Sequence, residues 1–240
     1  KSWERGAEYA IMRIPSVDKG RVSPCPLMVE KKEKEVEHMA KIITIGREFG
    51  SGGRELGRCL ADELGIAYYD NEIITKIAER TELAEGYVAH VMEHSPSATL
   101  PITVGRSFYM GADPLLEQNN LIYREQSRLI REMAEQSDCV IVGRSADYIL
   151  REKEPFRIFV YADMEHKMER CRKRAPEQEH FTDRELKRHI QDVDRRRGRY
   201  YQFFTGQTWG DRLNYDLCIN TSTGSIPGIV KAVARLVEWE

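Results

Sequence analysis

A chain of 240 residues is long enough for one α/β domain with a sizeable hydrophobic core. Basic and acidic residues nearly balance, and the formal net charge of −2 argues against general attraction to nucleic acid or an anionic membrane. No apolar run reaches the roughly 18 residues that a membrane-spanning helix needs, so we expect none. The five cysteines are scattered and form no C-x-x-C pair, so we expect reduced thiols and a cytoplasmic location.

The first 38 residues differ from the remainder of the chain. Three prolines interrupt them, and the charged stretch VEKKEKEVEH closes them directly before Met39. An extension upstream of a start at Met39 is one interpretation, and an ordered accessory segment is the other. We therefore divide the chain into an N-terminal extension over residues 1–38 and a domain over residues 39–240.

The stretch IITIGREFGSGGRE, residues 42–55, is the most informative part of the sequence. Residues 42–45 are apolar or β-branched and predict a buried parallel strand, and leucines at helical spacing from Leu56 to Leu64 predict an amphipathic helix. Between them lies a glycine loop, defined here as residues 48–53. A glycine loop between a strand and a helix N-terminus favours phosphate binding, because backbone N–H groups can approach an anion closely.

The glycine loop departs from both common phosphate-binding patterns. In G-x-x-x-x-G-K-[ST] the lysine position is occupied by Gly53, and a positive charge follows one residue later as Arg54. In G-x-G-x-x-G the first two glycines fit Gly50 and Gly52, but the third is Glu55. The loop therefore predicts a phosphate ligand without identifying it. A turn that only packs a strand against a helix is the alternative.

The rest of the chain alternates between strand and helix patterns. Further strands are predicted at residues 66–69, 139–142, 157–161 and 217–220. Helices are predicted at residues 71–80, 82–94, 115–136, 164–174, 182–201 and 226–239, with a proline- and glycine-rich loop at 95–114. This alternation predicts a parallel sheet covered on both faces, with ligands at the carboxyl ends of its strands.

Polar residues follow several of the predicted strands at that edge. Asp70 is expected either to bind a substrate hydroxyl or amine or to cap the next helix, and Asp163 is expected to cap the helix after it. Arg144 could grip a phosphate bidentately or pair with a surface carboxylate. Arginine-rich helices on either side of Pro176 predict a lid that closes over phosphates. His90 and His94 have a metal-compatible spacing but no third ligand, so we predict no metal site in the protein itself.

As a set, several motifs resemble the cytidylate kinase-like family of P-loop nucleoside monophosphate kinases, over about residues 40–240. They are IITIGREFGSGGRELG, LGIAYYDNEII, VIVGRSADYIL, VDRRRGRYYQFFTGQTWGD and NYDLCINTS. The resemblance implies a three-layer α/β P-loop NTPase fold, with a five-stranded parallel sheet and a helical lid at about residues 172–200. It also implies phosphoryl transfer from ATP, assisted by Mg²⁺, to CMP or dCMP.

The resemblance also implies roles for individual residues. Those expected to wrap the donor phosphates are Gly50, Ser51, Gly52, Gly53, Arg54 and Glu55. Asp70 and Arg144 are expected on the acceptor side. Arg195 and Arg199 are expected to neutralise developing charge. Arg54 is expected to act in catalysis in place of the missing lysine.

Other functions remain open from the sequence. The missing lysine favours a nucleotide-binding regulatory protein with little turnover, and the acceptor could be another small metabolite. The distance from Gly50 to Asp70 also suits a dinucleotide-binding oxidoreductase, although Glu55 argues against it. In every case we expect small-molecule nucleotide ligands, no nucleic-acid or membrane partner, and a possible homo-oligomer.

Overall fold

The computed structural model describes residues 41–93, 114–174 and 181–238. The predicted N-terminal extension and nearly all of the predicted proline- and glycine-rich loop lie outside these ranges. The strands are β1 (Ile42–Arg47), β2 (Ala67–Tyr69), β3 (Cys139–Val142), β4 (Phe156–Tyr161) and β5 (Leu217–Asn220). The α-helices are α1 (Gly53–Leu64), α2 (Glu72–Thr81), α3 (Glu85–Glu93), α4 (Pro114–Gln136), α5 (Ala146–Ile149), α6 (Met164–Arg174), α7 (Asp183–Thr205) and α8 (Ile226–Glu238).

The five strands form one parallel sheet in the order β2-β3-β1-β4-β5. β1 is central, and its Ile43 lies opposite Val140 of β3 and Phe156 of β4. Because all strands run in the same direction, their carboxyl ends meet at one edge. The predicted five-stranded parallel sheet is confirmed.

Helices cover both faces of the sheet and give the fold three layers. Alternate residues of each strand point to opposite faces. Accordingly, Cys139 and Ile141 of β3 pack among the helices of one face, and Val140 and Val142 pack among those of the other. The first face is covered by α2, α3 and α4, and the second by α1 and α8. The predicted three-layer α/β fold is therefore confirmed.

Residues at the helix ends determine where several helices begin and end. Gly65 closes α1 in the left-handed conformation, as predicted, with φ of 65°. The Asp163 carboxylate accepts the His166 N–H at 2.9 Å, which confirms the predicted cap of α6. The expected cap by Asp70 is wrong: the residue before α2 is Asn71, and the Asp70 carboxylate binds arginine side chains instead.

Two helices differ from the prediction, one in its length and one in having been missed. The arginine-rich helix α7 continues four residues beyond the predicted end and stops at Gly206, which has φ of 72°. The short helix α5 was not predicted, because four residues are too few to show a helical period. Among the helices in the described ranges, none combines the length and the apolar character needed to span a bilayer.

Candidate active site

The glycine loop leaves β1 and turns into α1 through two left-handed glycines. Gly50 and Gly52 have φ of 74° and 83°, a conformation that side chains with a Cβ adopt only with strain. Ser51 between them is fully buried, and its hydroxyl donates to the Glu48 carbonyl at 2.8 Å. The hydroxyl of Ser51 thus holds the loop in shape.

The glycine loop is tied to α6 and α7 by a buried lysine. The Lys167 ammonium of α6 lies 2.6 Å from the Glu48 carboxylate and 3.1 Å from that of Asp194, on α7. Asp194 also accepts the Phe49 N–H at 2.7 Å. Burial raises the pKa of Asp194, while the Phe49 N–H and Lys167 oppose that rise. One lysine therefore holds the loop, α6 and α7 together.

Arg54 does not point along the glycine loop. Its Nε lies 2.7 Å from Asp70 Oδ2, and its Nη2 donates to the Asn71 side-chain oxygen at 3.0 Å. The Arg54 side chain is 48% exposed, whereas that of Asp70 is only 7% exposed. The structure thus brings together Arg54 and Asp70, which the sequence analysis assigned to opposite sides of the site.

Arg47, which sequence analysis did not single out, is the most buried arginine of this edge. Its Nη2 lies 3.3 Å from Asp70 Oδ1, and its backbone carbonyl accepts from Arg197 at 3.3 Å. Burial, together with the nearby Arg197, lowers the pKa of Arg47 to about 9, while Asp70 opposes the change. Its position at the last residue of a buried strand was the available sequence signal.

The turn after β3 carries three successive residues in the left-handed conformation. Gly143, Arg144 and Ser145 have φ of 74°, 62° and 53°. For a non-glycine residue this conformation costs about 1 kcal/mol or more of conformational free energy. Such strain concentrates at functional sites. Buried Gln126 of α4 donates to the Arg144 carbonyl at 2.8 Å and so supports the turn.

These elements enclose a cavity, called here the arginine pocket. It is lined by Gly46, Arg47, Met92, Gly143, Arg144, Ser145, Asp147, Arg197, Tyr200, Tyr201, Trp209 and Tyr215. Its volume of about 60 Å³ accommodates a small anion or a few water molecules, since one water needs roughly 10–15 Å³. Three arginines therefore line one cavity, an arrangement suited to phosphate.

A buried acid lies in the wall of the arginine pocket. The Tyr201 hydroxyl donates to Asp147 Oδ2 at 2.6 Å. Burial raises the pKa of Asp147, and the hydrogen bond from Tyr201 opposes that rise. Neither residue was singled out from the sequence. Asp147 offers the pocket a hydrogen-bond acceptor beside its positive charges.

The sequence of this domain matches a known family model. Residues 42–223 match the model described as the cytidylate kinase-like family, well over half of the chain. The chain belongs to the cytidylate kinase-like family. Together with the fold, membership supports a phosphotransferase of the kinase type.

Three proteins similar to this cytidylate kinase-like chain share 27% or less of its sequence. A cytidylate kinase of Methanopyrus kandleri is 27% identical over 194 residues, which are 77% of this chain and 86% of that protein. A crystal structure of an uncharacterized protein from Eubacterium ventriosum has a TM-score of 0.61 at 23% identity, covering 83% of this chain and 99% of that one. A shikimate kinase structure from Bacteroides thetaiotaomicron has a TM-score of 0.50 at 16% identity, covering 82% and 97%. These two structures support the fold alone.

The arginines of α7 in this family member divide between two sides of the helix. Arg195 is 58% exposed and pairs with Asp192 at 2.8 Å, and Arg199 is also exposed. Arg197 lines the arginine pocket instead. Successive helical residues are rotated by about 100°, so residues 195 and 199 share a side that residue 197 does not. The predicted roles of Arg195 and Arg199 stay predictions.

Proposed function

We propose that this protein transfers the γ-phosphoryl group of ATP to a nucleoside monophosphate, with CMP or dCMP as the first acceptors to test. One observation carries the proposal. The glycine loop and the arginine pocket open from the same edge of the sheet, and Arg47 connects them, since it ends β1 directly before the loop and lines the pocket. A donor phosphate and an acceptor phosphate can thus be held side by side.

The residues present suit phosphoryl transfer, which depends mainly on positioning and neutralisation of charge. Loop amides from residues 50–55 would bind the donor phosphates, as the sequence analysis predicts for that segment. Arg144 and Arg197 would bind the acceptor phosphate, and Asp147 would accept a hydrogen bond from the acceptor. Asp70 would act through the two arginines that it orients.

Mg²⁺ would bind chiefly through the nucleotide. Gly52 and Gly53 place Arg54 at the hydroxyl position of the phosphate-loop pattern, and a guanidinium has no lone pair to offer a metal. Within the described ranges, no group of three or more His, Cys, Asp and Glu side chains is placed to hold a metal ion. Mg²⁺ commonly keeps several waters and uses substrate phosphates as ligands, and it neutralises phosphate charge during transfer.

The test measures ADP release from ATP and Mg²⁺ with CMP, dCMP, UMP, AMP, shikimate or no acceptor. We expect release that depends on CMP or dCMP. The variant R144M should raise KM for the acceptor at least ~10-fold, because it removes a charge-assisted contact to phosphate. The matched control R131M changes an exposed arginine of α4 and should leave KM unchanged. Release only with shikimate, or equal release without any acceptor, would overturn the nucleoside monophosphate assignment.

A nucleotide-binding regulatory protein with little turnover is the second candidate. The observation in its favour is that the lysine position is Gly53 and that the neighbouring Arg54 is paired with Asp70. ATP binding without product from any acceptor would favour this candidate, and clear turnover would eliminate it. A kinase of another small metabolite is distinguished by the same acceptor panel.

A further inference from the structure

The glycine loop carries an exchange of residue types relative to the phosphate-loop pattern. That pattern has a glycine five positions before its second glycine and a lysine directly after the second. Counted from Gly52, this chain has Arg47 in place of the first glycine and Gly53 in place of the lysine. The positive residue thus stands where the pattern has its first glycine, and a glycine stands where the pattern has its lysine.

The structure shows that the two substitutions depend on each other. A Cβ added at Gly53 would lie 2.5 Å from the Cβ of Arg47 and 3.3 Å from its Cγ. Real Cβ atoms do not approach each other this closely, and close-packed interiors leave little room for adjustment. A lysine at position 53 therefore cannot coexist with an arginine at position 47 in this backbone arrangement.

A second glycine makes room for the far end of the same side chain. A Cβ at Gly143 would lie 1.8 Å from Nη1 of Arg47, and Gly143 also has φ of 74°. The Arg47 side chain thus runs from the start of α1 to the turn after β3, between two glycines. Its guanidinium ends in the wall of the arginine pocket.

The charges around this guanidinium are mostly of its own sign. Among the described residues, the charges that act on it are those of Arg197, Arg144 and Arg54, against the carboxylate of Asp70. A buried cation among like charges is unfavourable, and a bound anion would relieve this cost. Asp70 relieves it only in part, because the same carboxylate makes its shorter contact with Arg54.

We propose that Arg47 supplies to the transferred phosphate the positive charge that the loop lysine supplies in the common pattern. Position 53 is glycine, on this account, because Arg47 occupies the space of its side chain. The inference rests on the proposed function, since it assigns a phosphate-binding residue to the same site. A buried ion pair with Asp70 that serves stability alone is the competing explanation.

The first experiment removes the charge of Arg47 and keeps its stem. ATP binding by calorimetry and kcat are measured for R47M and R47K, with R58M as a control on an exposed arginine of α1. We expect R47M to weaken ATP binding at least ~10-fold and to lower kcat by ~10²-fold, as removal of a preorganised charge does. R47K should recover most of both, and R58M should match the wild type. Wild-type ATP affinity and kcat in R47M would overturn the proposal.

The second experiment restores the common pattern. The variants R47G/G53K and R47G/G53M both remove the clash at position 53 and differ only in the ammonium group. We expect the lysine variant to bind ATP at least ~10-fold more tightly than the methionine variant. Equal ATP affinities in this pair would overturn the proposal, even where R47M itself fails to fold.

The third experiment uses stability measurements to test whether the residues at positions 47 and 53 depend on each other. G53A alone should lower the urea midpoint of unfolding, because its Cβ meets the Arg47 stem, and G53A in the R47G background should not lower it further. G86A is the control, since a Cβ at Gly86 meets nothing within 4 Å. Equal effects of G53A in both backgrounds would contradict the shared space on which the exchange depends.

These measurements separate the two proposals. A wild-type protein that releases no ADP with any acceptor would refute the proposed function. The ATP titrations of R47M and of the double variants would still decide whether Arg47 binds phosphate.

Discussion

Arg54 and Asp70 form an ion pair in which Nε and Oδ2 are 2.7 Å apart. The second oxygen of the same carboxylate lies 3.3 Å from Arg47. Asp70 follows β2, whereas the two arginines stand at opposite ends of the glycine loop. One buried carboxylate thus joins both ends of the loop to the end of β2, from which β1 is separated by β3. The carboxylate therefore determines what each arginine is available to do.

The variant R54A tests whether Arg54 replaces the missing lysine. That hypothesis, drawn from the sequence, predicts a kcat loss of ~10²-fold or more. The ion pair leads us to expect a loss below about ten-fold, because a half-exposed charge already neutralised by a carboxylate is worth little. Steady-state kinetics of R54A and R47M should be compared side by side. A large loss in R54A beside a small one in R47M would return the role to Arg54.

Lys167 should contribute strongly to stability. Its buried ammonium lies against Glu48 and Asp194, so K167M removes the nearest cation from two carboxylates. We expect the free energy of unfolding to fall by about 3 kcal/mol, as for other broken buried ion pairs. Urea unfolding measures this fall, with K173M as the control, because Lys173 is 71% exposed and pairs with Glu169 within its own helix. A loss as small as that of K173M would contradict the link between the glycine loop and α7.

The arginines of α7 should differ in their effect on catalysis. Arg197 lines the arginine pocket, so we expect R197M to raise KM for the acceptor or lower kcat by at least ~10-fold. Arg195 and Arg199 were predicted from the sequence to neutralise developing charge, and R195M and R199M test that role. Their exposed positions lead us to expect smaller effects in kinetics measured on all three. A greater loss in R195M or R199M than in R197M would support the sequence-based assignment.

Two aspartates should affect stability with opposite dependence on pH. Burial raises the pKa of Asp147 above its ordinary value of 3.8, so its contribution is present below that pH and is lost as pH rises through the folded-state pKa. The backbone and side chain of His166 lower the pKa of Asp163 to about 2, so its contribution is present above 3.8 and is lost toward pH 2. Relative to wild type, D147N should gain stability with rising pH, while D163N should lose it.

Urea unfolding of both variants between pH 2 and pH 7 measures this contrast. Asparagine cannot titrate, so each variant removes one proton-binding group and keeps its shape. Parallel pH profiles of stability for D147N and D163N would contradict opposite pKa shifts of the two aspartates.

The strand and helix pattern was predictable because its signals are local. Buried β-branched runs such as residues 139–142, and glycines such as Gly65 at a helix end, act within a few residues of the structure they specify. The glycine loop was predictable for the same reason. The predictions were less accurate for helix ends that depend on more distant packing, such as the end of α7.

Other parts of the site depended on contacts between distant residues. Asp70 has the sequence signature of a helix cap. Its carboxylate instead forms ion pairs with two arginines outside α2, so it does not cap that helix. In the sequence alone, Gly53 is likewise visible only as the absence of a lysine. Only the packing of Gly53 against Arg47 relates that absence to another residue.

The sequence by itself determined that five buried strands alternate with helices and that a glycine loop follows the first strand. Such features arise from periodicity and turn chemistry within single segments. Only the tertiary structure decided that Arg47, Arg144 and Arg197 face one cavity and that Asp147 lies in its wall. These residues come from different segments, and their meeting depends on strand order and helix rotation, which local sequence patterns do not encode.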